Sequence, residues 1–264
     1  MGMSRREKRE EKNKKRKLII VFFIECIFVS ALIYSGIKIY SWFMDNKKNG
    51  EVISEVQQYV QVTQDDNNEK DYIVDFTVLT EKNPDTVAYL IVNGTDISFP
   101  VVKTDNNDFY LRHNFYKEYN RAGWIFANYI NKFDGTDKNI SIFGHNMRDN
   151  SMFGTMNNML TADWQNNEEN MTVVLATKDS VYYYRVFSVY KIEPEEYYLK
   201  NYFESDKEYM KFLNTVKSRS VKNFGTELSA QSRILTLSTC TNDNKERIVL
   251  HAVKMPWNYI KFMI

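Results

Sequence analysis

Hydrophobic positions form one long uninterrupted block near the start of the chain. Residues 18–37, LIIVFFIECIFVSALIYSGI, contain a single charged side chain, that of Glu25. An α-helix rises about 1.5 Å per residue, so twenty residues span roughly 30 Å, the thickness of a bilayer's hydrocarbon core. The pattern predicts a membrane anchor within residues 18–40. A cleavable signal peptide is the alternative, but the run exceeds the usual apolar core of about 7–15 residues and no A-x-A-like site follows it.

Polar residues dominate the stretch after this block. Within residues 45–75, apolar side chains recur at helical spacing, at Val52, Val56, Tyr59 and Val60. This spacing predicts a short amphipathic helix, and we assign residues 41–74 to a stalk with a helical extension. For residues 63–70, TQDDNNEK, a disordered linker is an equally good interpretation.

From about residue 71 the pattern changes to short apolar runs that are broken by turn residues. These runs are rich in Val, Ile, Tyr, Phe and Thr, as strands are, and their spacing predicts a mostly antiparallel barrel or sandwich in one domain, residues 75–264. The runs are DISFPVVK (96–103), GWIFANY (123–129), KNISIFGHN (138–146), MTVVLATKDSVYYYRVFSVYKI (171–192), SRILTLSTC (232–240) and ERIVLHAVKM (246–255).

Two helices are predicted among these strands. Ser205 followed by Glu208 forms a capping box, the N-terminal signature of a helix over 205–220. The stretch DNSMFGTMNNML (149–160) predicts a shorter one. In the longer helix the apolar face consists of Tyr209, Phe212, Leu213 and Val216.

Charge is distributed unevenly along the chain. Residues 1–17 hold nine Lys and Arg against three Glu, whereas the whole chain carries only +1, so the remainder is near −5. Basic residues next to a membrane helix remain in the cytoplasm, which places the tail inside the cell and the domain outside. An acidic exported domain lacks the basic surface of a nucleic-acid-binding protein.

The number and positions of the cysteines also bear on function. Of two cysteines, Cys26 lies in the predicted anchor and leaves Cys240 alone in the exported domain, at the polar end of an apolar run. Exported proteins usually pair their cysteines, and a structural thiol usually lies inside an apolar run. The Cys240 thiol is therefore either incidental or reactive.

Two residues are candidates to act with this thiol. His145 also ends an apolar run, ISIFG, and adjacent strand ends would bring an imidazole near a thiol. Arg247 lies seven residues after Cys240, near the start of the strand that follows a five-residue loop, so a hairpin would place its guanidinium nearby as an oxyanion donor. An exposed Arg247 paired with Asp243 or Glu246 is the alternative. His113 lies in a loop-like setting, and His251 shares a face with Val249 and Val253; we expect structural roles for both.

These motifs together resemble the sortases, the membrane-anchored cysteine transpeptidases of Gram-positive bacteria. TLSTC with an arginine on the next strand and FGHNM upstream resemble the family's catalytic segments, and residues 83–115 and 120–129 resemble two further conserved runs. The resemblance covers residues 75–255. The helical extension, the segment 143–156 and the helix at 205–220 resemble class B, although Tyr89 stands where the family usually has Trp.

The resemblance implies an eight-stranded β-barrel preceded by an N-terminal helical extension, with a helix inserted before the cysteine strand. It implies that Cys240 attacks the carbonyl of a threonine in a C-terminal sorting signal and forms a thioester, which a peptidoglycan amine then resolves. His145 would be the general acid and base, and Arg247 the oxyanion donor. Substrate-binding positions are implied at Asn107, Leu111 and Tyr198. Ser238, two residues before Cys240 on the same strand, should share its face and is a fourth candidate. Ordinary loop and barrel-wall roles are the alternative for these residues.

The resemblance implies no cofactor, and the acidic residues at 65–75 and 193–196 lack the spacing of an EF-hand, so no metal site is predicted. The expected partners are a secreted protein with a sorting signal and a peptidoglycan precursor or stem-peptide amine. The expected location is the cell membrane, single-pass, with the N-terminus cytoplasmic. A cysteine peptidase that releases its product to water, or an anchored binding module with an incidental thiol, remains an alternative.

Overall fold

The computed structural model describes residues 5–64, 70–240 and 246–256. The chain divides into two compact units, residues 1–48 and residues 49–264. Within the first unit, the described residues belong to helix α1 (Arg5–Gln57), whose remaining turns belong to the second unit. By length and composition α1 is the one helix in the described chain that could cross a membrane, and its apolar side chains from Leu18 to Phe43 are exposed.

The last turns of α1 pack within the second unit, as the amphipathic spacing predicts. Val52 and Val56 are buried in the main core, and the Gln57 amide donates a hydrogen bond of 3.1 Å to the carbonyl of Ser98. The predicted helical positions of Tyr59 and Val60 are wrong, because the helix ends at Gln57 and Tyr59 lies in the turn that follows. Val60 instead begins strand β1 (Val60–Gln64), which pairs with β2 (Lys70–Val74), because alternating β-branched residues favour an extended ribbon.

Eight further strands close into a barrel, which confirms the predicted barrel and excludes a sandwich. Around the barrel the order is β10-β8-β7-β3-β4-β5-β6-β9. Two pairs, β4–β5 and β6–β9, are parallel, and the other pairs are antiparallel. The strands are β3 (Thr86–Val92), β4 (Ser98–Val102), β5 (Phe126–Ala127), β6 (Asn139–His145), β7 (Thr172–Ala176), β8 (Val181–Ile192), β9 (Ile234–Cys240) and β10 (Arg247–Lys254).

The shorter predicted helix is confirmed only in its second half, and there as a 3₁₀ helix. Residues 149–153 form turns, in which Asn150 and Met152 have positive φ, and a 3₁₀ helix follows at Gly154–Leu160. Gly154 passes so close to Met147 that a Cβ would lie 2.5 Å from its carbonyl oxygen. Two short helices were not predicted, because five to seven residues are too few to show a helical period: α2 (Phe76–Lys82), capped by Asp75, and α3 (Ala162–Asn166).

Helix α4 (Asp206–Ser218) is the predicted insertion before the cysteine strand. Ser205 caps it by accepting a hydrogen bond of 3.2 Å from the backbone N–H of Glu208. Its apolar face packs against β8, β9 and β10 in a second core, whereas alternate residues of the same strands, such as Leu237 and Leu250, belong to the main core. All four predicted apolar positions of this helix are buried.

Candidate active site

Strand pairing brings three residues from distant parts of the sequence into one row. β9 lies between β6 and β10, and Cys240 is the register partner of His145 on one side and of Arg247 on the other. Neighbouring strands are about 4.8 Å apart, so the three backbones lie side by side at one rim of the barrel. The backbones of His145 and Arg247 therefore lie next to that of Cys240, as the positions of these residues at strand ends predict.

Close packing sets where β6 ends and where His145 lies. A Cβ on Gly144 would be 2.5 Å from Cδ1 of Ile125 and 2.9 Å from Cγ of Phe153, so only glycine allows this approach. The chain then turns back, and the N–H of Phe153 donates a 3.0 Å hydrogen bond to the His145 carbonyl. The FGH tripeptide thus holds a half-buried histidine at the strand terminus.

The His145 ring has a defined polar contact. Its Nε2 lies 2.9 Å from the backbone carbonyl oxygen of Leu111. A carbonyl only accepts hydrogen bonds, so Nε2 carries the proton in this contact. Leu111, which the resemblance implies as a substrate-binding residue, therefore contacts the candidate catalytic histidine through its main chain.

Arg247 begins β10 with a donor that no described residue satisfies. Its Nε is buried and has no hydrogen-bond partner within the described ranges. Glu246, one of the two alternative partners, forms an ion pair with Lys191, and Asp243 lies outside the described residues. An unpaired buried donor costs on the order of 1–3 kcal/mol, which a bound oxygen would recover.

Asn107 joins two loops. Its side-chain amide donates a hydrogen bond of 3.2 Å to Oδ1 of Asn128, and its own oxygen accepts one of 3.0 Å from the N–H of Tyr129. The side chain is half-buried. Its assignment as a substrate-binding residue stays a prediction.

Tyr198 and Ser238 lie in the interior. Both side chains are buried, and the Tyr198 hydroxyl lies 2.9 Å from Oγ of Ser238. Ser238 is on the face of β9 that the segment before α4 covers, so the contact ties this segment to the cysteine strand. In this conformation neither side chain presents a surface to a peptide, and a substrate-binding role for them would require the segment to move.

A buried polar chain that the sequence did not reveal supports the same strands. Oγ1 of Thr236 donates to Oδ1 of Asn139 at 2.7 Å and therefore accepts from Nδ1 of His251 at 2.9 Å. Nε2 of His251 then accepts from the Tyr190 hydroxyl at 3.0 Å. His251 is thus a fully satisfied, neutral core histidine, as its alternation with apolar residues of β10 predicts.

Burial of His251 predicts acid sensitivity. Loss of hydration lowers the pKa of this imidazole to about 3, below the ordinary value near 6.5. Between these values the unfolded chain binds a proton that the folded chain does not, so the free energy of unfolding falls as the pH drops from about 6.5 towards 3, by up to about 1.4 kcal/mol per pH unit. We expect urea unfolding of His251→Gln to depend less on pH than that of wild type.

The control for this measurement is His113→Gln. His113 stacks on Phe109 and donates from Nδ1 to the Phe109 carbonyl at 2.7 Å, outside the buried chain. This variant should retain the wild-type pH dependence between pH 7 and pH 4. An identical slope for His251→Gln and wild type would contradict the assignment.

No metal centre is found among the described residues: they contain no group of three or more His, Cys, Asp or Glu side chains that could hold an ion. The polar contacts of the site described above are made by imidazole, amide, hydroxyl and backbone groups. Beside the Cys240 position, the imidazole can transfer protons and the guanidinium can stabilise negative charge.

Comparisons with known proteins agree with this geometry. A family model described as the sortase domain matches residues 90–255. Sortase B of Listeria monocytogenes is 30% identical over 228 residues, 85% of this chain and 92% of that protein, and sortase B of Staphylococcus aureus is 30% identical over 232 residues, 87% and 94%.

Solved structures show the same likeness. Sortase B from Bacillus anthracis in complex with AAEK1 superposes with a TM-score of 0.70 at 31% identity, covering 81% of this chain and 99% of that one. Clostridium perfringens sortase B gives a TM-score of 0.64 at 35% identity, covering 68% and 99%. The chain therefore belongs to the sortase family, the cysteine transpeptidases that anchor surface proteins, and it is similar to sortase B over most of its length.

Proposed function

We propose that the chain cleaves a C-terminal sorting signal after a threonine and transfers the new carboxyl end to a peptidoglycan amine. The Cys240 sulfur attacks the threonine carbonyl carbon, the C–N bond of the following residue breaks, and a thioester forms. The incoming amine then attacks the thioester, a new amide forms and the thiol is released. The single observation that carries this proposal is the register that aligns Cys240 with His145 and Arg247.

His145 would move the proton in both half-reactions. It protonates the departing amine when the thioester forms and takes a proton from the incoming amine when the thioester breaks. Since Nε2 is engaged by Leu111, the nitrogen that exchanges protons is Nδ1. One ring nitrogen then holds the imidazole while the other performs the transfer.

Arg247 would hold the oxygen of the tetrahedral intermediates. Guanidinium keeps its charge at every relevant pH and offers several donors in one plane. The unsatisfied Nε supports this role, because a developing oxyanion would supply the partner that the described residues do not.

We also propose a topology and a location. Residues 1–17 are a cytoplasmic tail, residues 18–40 a membrane anchor, residues 41–74 a stalk with the helical extension and residues 75–264 the catalytic domain outside the cell. The apolar, exposed side chains of α1 and the basic residues before them support this arrangement. An anchor would keep the enzyme beside secreted substrates and membrane-bound acceptors.

The names of the similar solved structures suggest which kind of amine could act as the acceptor. One similar structure is a sortase B complexed with triglycine, and another is a S. aureus sortase B–substrate complex. A glycine-terminated amine is therefore the first acceptor to test for this chain. A stem-peptide amine is the second.

The test is transfer to an added amine. The full chain, in detergent or lipid nanodiscs, is incubated with a panel of fluorogenic peptides that vary around a central threonine, with and without triglycine. We expect one peptide class to be cleaved and mass spectrometry to show the N-terminal fragment joined to triglycine. Release of the free acid regardless of amine would instead indicate a cysteine peptidase, and absence of both cleavage and thiol labelling would indicate a binding module.

A further inference from the structure

The contact between His145 and Leu111 differs from the contacts of the other two histidines. His113 and His251 each donate from Nδ1, to the Phe109 carbonyl and to Oγ1 of Thr236 respectively. His145 alone donates from Nε2, and its acceptor is a main-chain oxygen 34 residues earlier in the chain. Within the described ranges, no carboxylate forms an ion pair or hydrogen bond with the His145 ring.

Several contacts hold the Leu111 carbonyl in place. Leu111 ends a 3₁₀ turn, Phe109–Leu111, and its N–H donates to the Asp108 carbonyl at 3.2 Å. The preceding carbonyl, that of Tyr110, accepts a 2.9 Å hydrogen bond from the N–H of Trp124. The segment that carries the acceptor is therefore attached to the strand segment that leads into β5.

The side chain of Tyr110 fixes the turn from the other side. The ring is buried, and its hydroxyl donates to Oδ2 of Asp85 at 2.8 Å while accepting from the Asn83 amide at 2.8 Å. Lys117 pairs with the same carboxylate at 2.9 Å. Such a network rigidifies the turn, because the Tyr110 ring cannot move without losing its hydrogen bonds to both Asn83 and Asp85.

Gly123 makes this approach sterically specific. Its φ is +60°, and a Cβ there would lie 2.5 Å from the carbonyl oxygen of Tyr110 and 2.8 Å from that of Leu111. Both contacts are with backbone, so the clash could be relieved only by moving the turn. The position of the Leu111 oxygen therefore depends on the absence of a side chain at residue 123.

We propose that the carbonyl of Leu111 is a positioning group for His145: it accepts the Nε2 proton, holds the imidazole in one tautomer and leaves Nδ1 as the nitrogen that transfers protons. Many enzymes give this task to a carboxylate that orients a catalytic histidine. Here a neutral main-chain oxygen performs it. The Tyr110 network and Gly123 maintain its position.

A carbonyl in this place has a chemical consequence. A carboxylate would pair with imidazolium and stabilise a charged ring strongly, whereas a carbonyl dipole accepts from both the neutral and the protonated ring. The ring thus remains oriented when it has lost its proton and when it has gained one. The same group can then serve as acid in one half-reaction and as base in the next.

Selective ¹⁵N-histidine labelling of the full chain tests the tautomer directly, since the sequence contains only three histidines. Spectra are recorded at about pH 8.5, where free imidazole is neutral. We expect His145 to carry a slowly exchanging proton on Nε2, and His113 and His251 to carry theirs on Nδ1. A His145 proton on Nδ1 in the wild-type protein would overturn the proposal.

Gly123→Ala tests the positioning, with Gly225→Ala as its matched control. Gly225 has a similar φ of +69°, but a Cβ there meets open space. We expect Gly123→Ala to lose the protected Nε2 proton of His145 and to lower kcat by about 10²-fold, the cost of misplacing a reacting group by about 1 Å, with a smaller change in KM. The control should change neither. A folded Gly123→Ala protein with an unchanged His145 signal would refute the inference.

A second pair of variants covers the case in which Gly123→Ala does not fold. Tyr110→Phe removes the hydroxyl that anchors the turn, and Tyr89→Phe removes a hydroxyl elsewhere, 3.1 Å from Oγ of Ser98. Faster exchange of the His145 proton is expected in Tyr110→Phe alone. Equal exchange rates in the two variants would contradict the inference.

The kinetic measurement rests on the proposed function, but the spectra do not. They report the free enzyme and need neither substrate nor activity. An inactive protein with the expected His145 tautomer would count against transpeptidation while leaving the positioning role intact. An active protein whose His145 carries its proton on Nδ1 would support transpeptidation and contradict the positioning role of Leu111.

Discussion

Cys240→Ala is expected to abolish peptide cleavage and transfer, with a loss on the order of 10⁶-fold, as when a catalytic nucleophile is removed elsewhere. The reason is that no thioester can form without the sulfur, and the remaining imidazole and guanidinium would have only water to activate. Cleavage of the fluorogenic peptide and labelling by a thiol-reactive peptide analogue both report the effect. Both signals should be lost in this variant.

Cys26→Ala is the matched control, because it removes the only other thiol of the chain, in the apolar part of α1. This variant should cleave and label as wild type does. Equal labelling of wild type and Cys240→Ala would show that the thiol at position 240 is incidental, and the transpeptidase proposal would fail.

Arg247→Ala is expected to lower kcat by about 10²–10³-fold, the usual effect of removing one oxyanion donor. The loss should appear mainly in kcat, since the interaction is strongest when the carbonyl oxygen becomes negatively charged. Arg247→Lys keeps the charge but lacks the planar set of donors that includes Nε, so it should recover only part of the rate. Single-turnover acylation measures the effect without the second half-reaction.

Arg219→Ala serves as the comparison for this experiment. Arg219 is partly exposed, pairs with Glu195 at 3.5 Å and lies over the ring of Tyr197, at the end of the inserted helix. Its loss should leave acylation within a few-fold of wild type. If Arg247→Ala remained folded and reduced acylation no more than Arg219→Ala does, the oxyanion role would have to be abandoned.

Features that depend on the periodicity of apolar residues or on a helix-capping pair were predictable from the sequence. The alternation around His251 indicated a core position, and the capping box at Ser205 marked the start of α4 to the residue. The block at 18–37 indicated a helix long enough to cross a membrane. Each of these patterns involves residues only a few positions apart in the sequence. The local geometry of a helix or strand is enough to relate such residues to one another.

Other features required the three-dimensional structure. Ser238 and Tyr198, both named as candidate substrate-binding residues, form a hydrogen bond to each other in the interior, which no sequence pattern indicated. Val60 leaves the helical period because β2 supplies a partner strand, a contact that the periodicity of residues 52–60 does not contain. For Val60, long-range pairing overrides the local pattern.

The order of amino acids was enough to name the groups that could act: one thiol after the apolar block, an imidazole and a guanidinium at strand-like termini, and an apolar helix before them. It took the folded chain to reveal that β9 lies between β6 and β10 and that the carbonyl of Leu111 meets the candidate catalytic imidazole. The order of the strands and the position of the loop depend on which surfaces pack against each other in the core. These contacts join residues that are far apart along the chain, so no local sequence pattern predicts them.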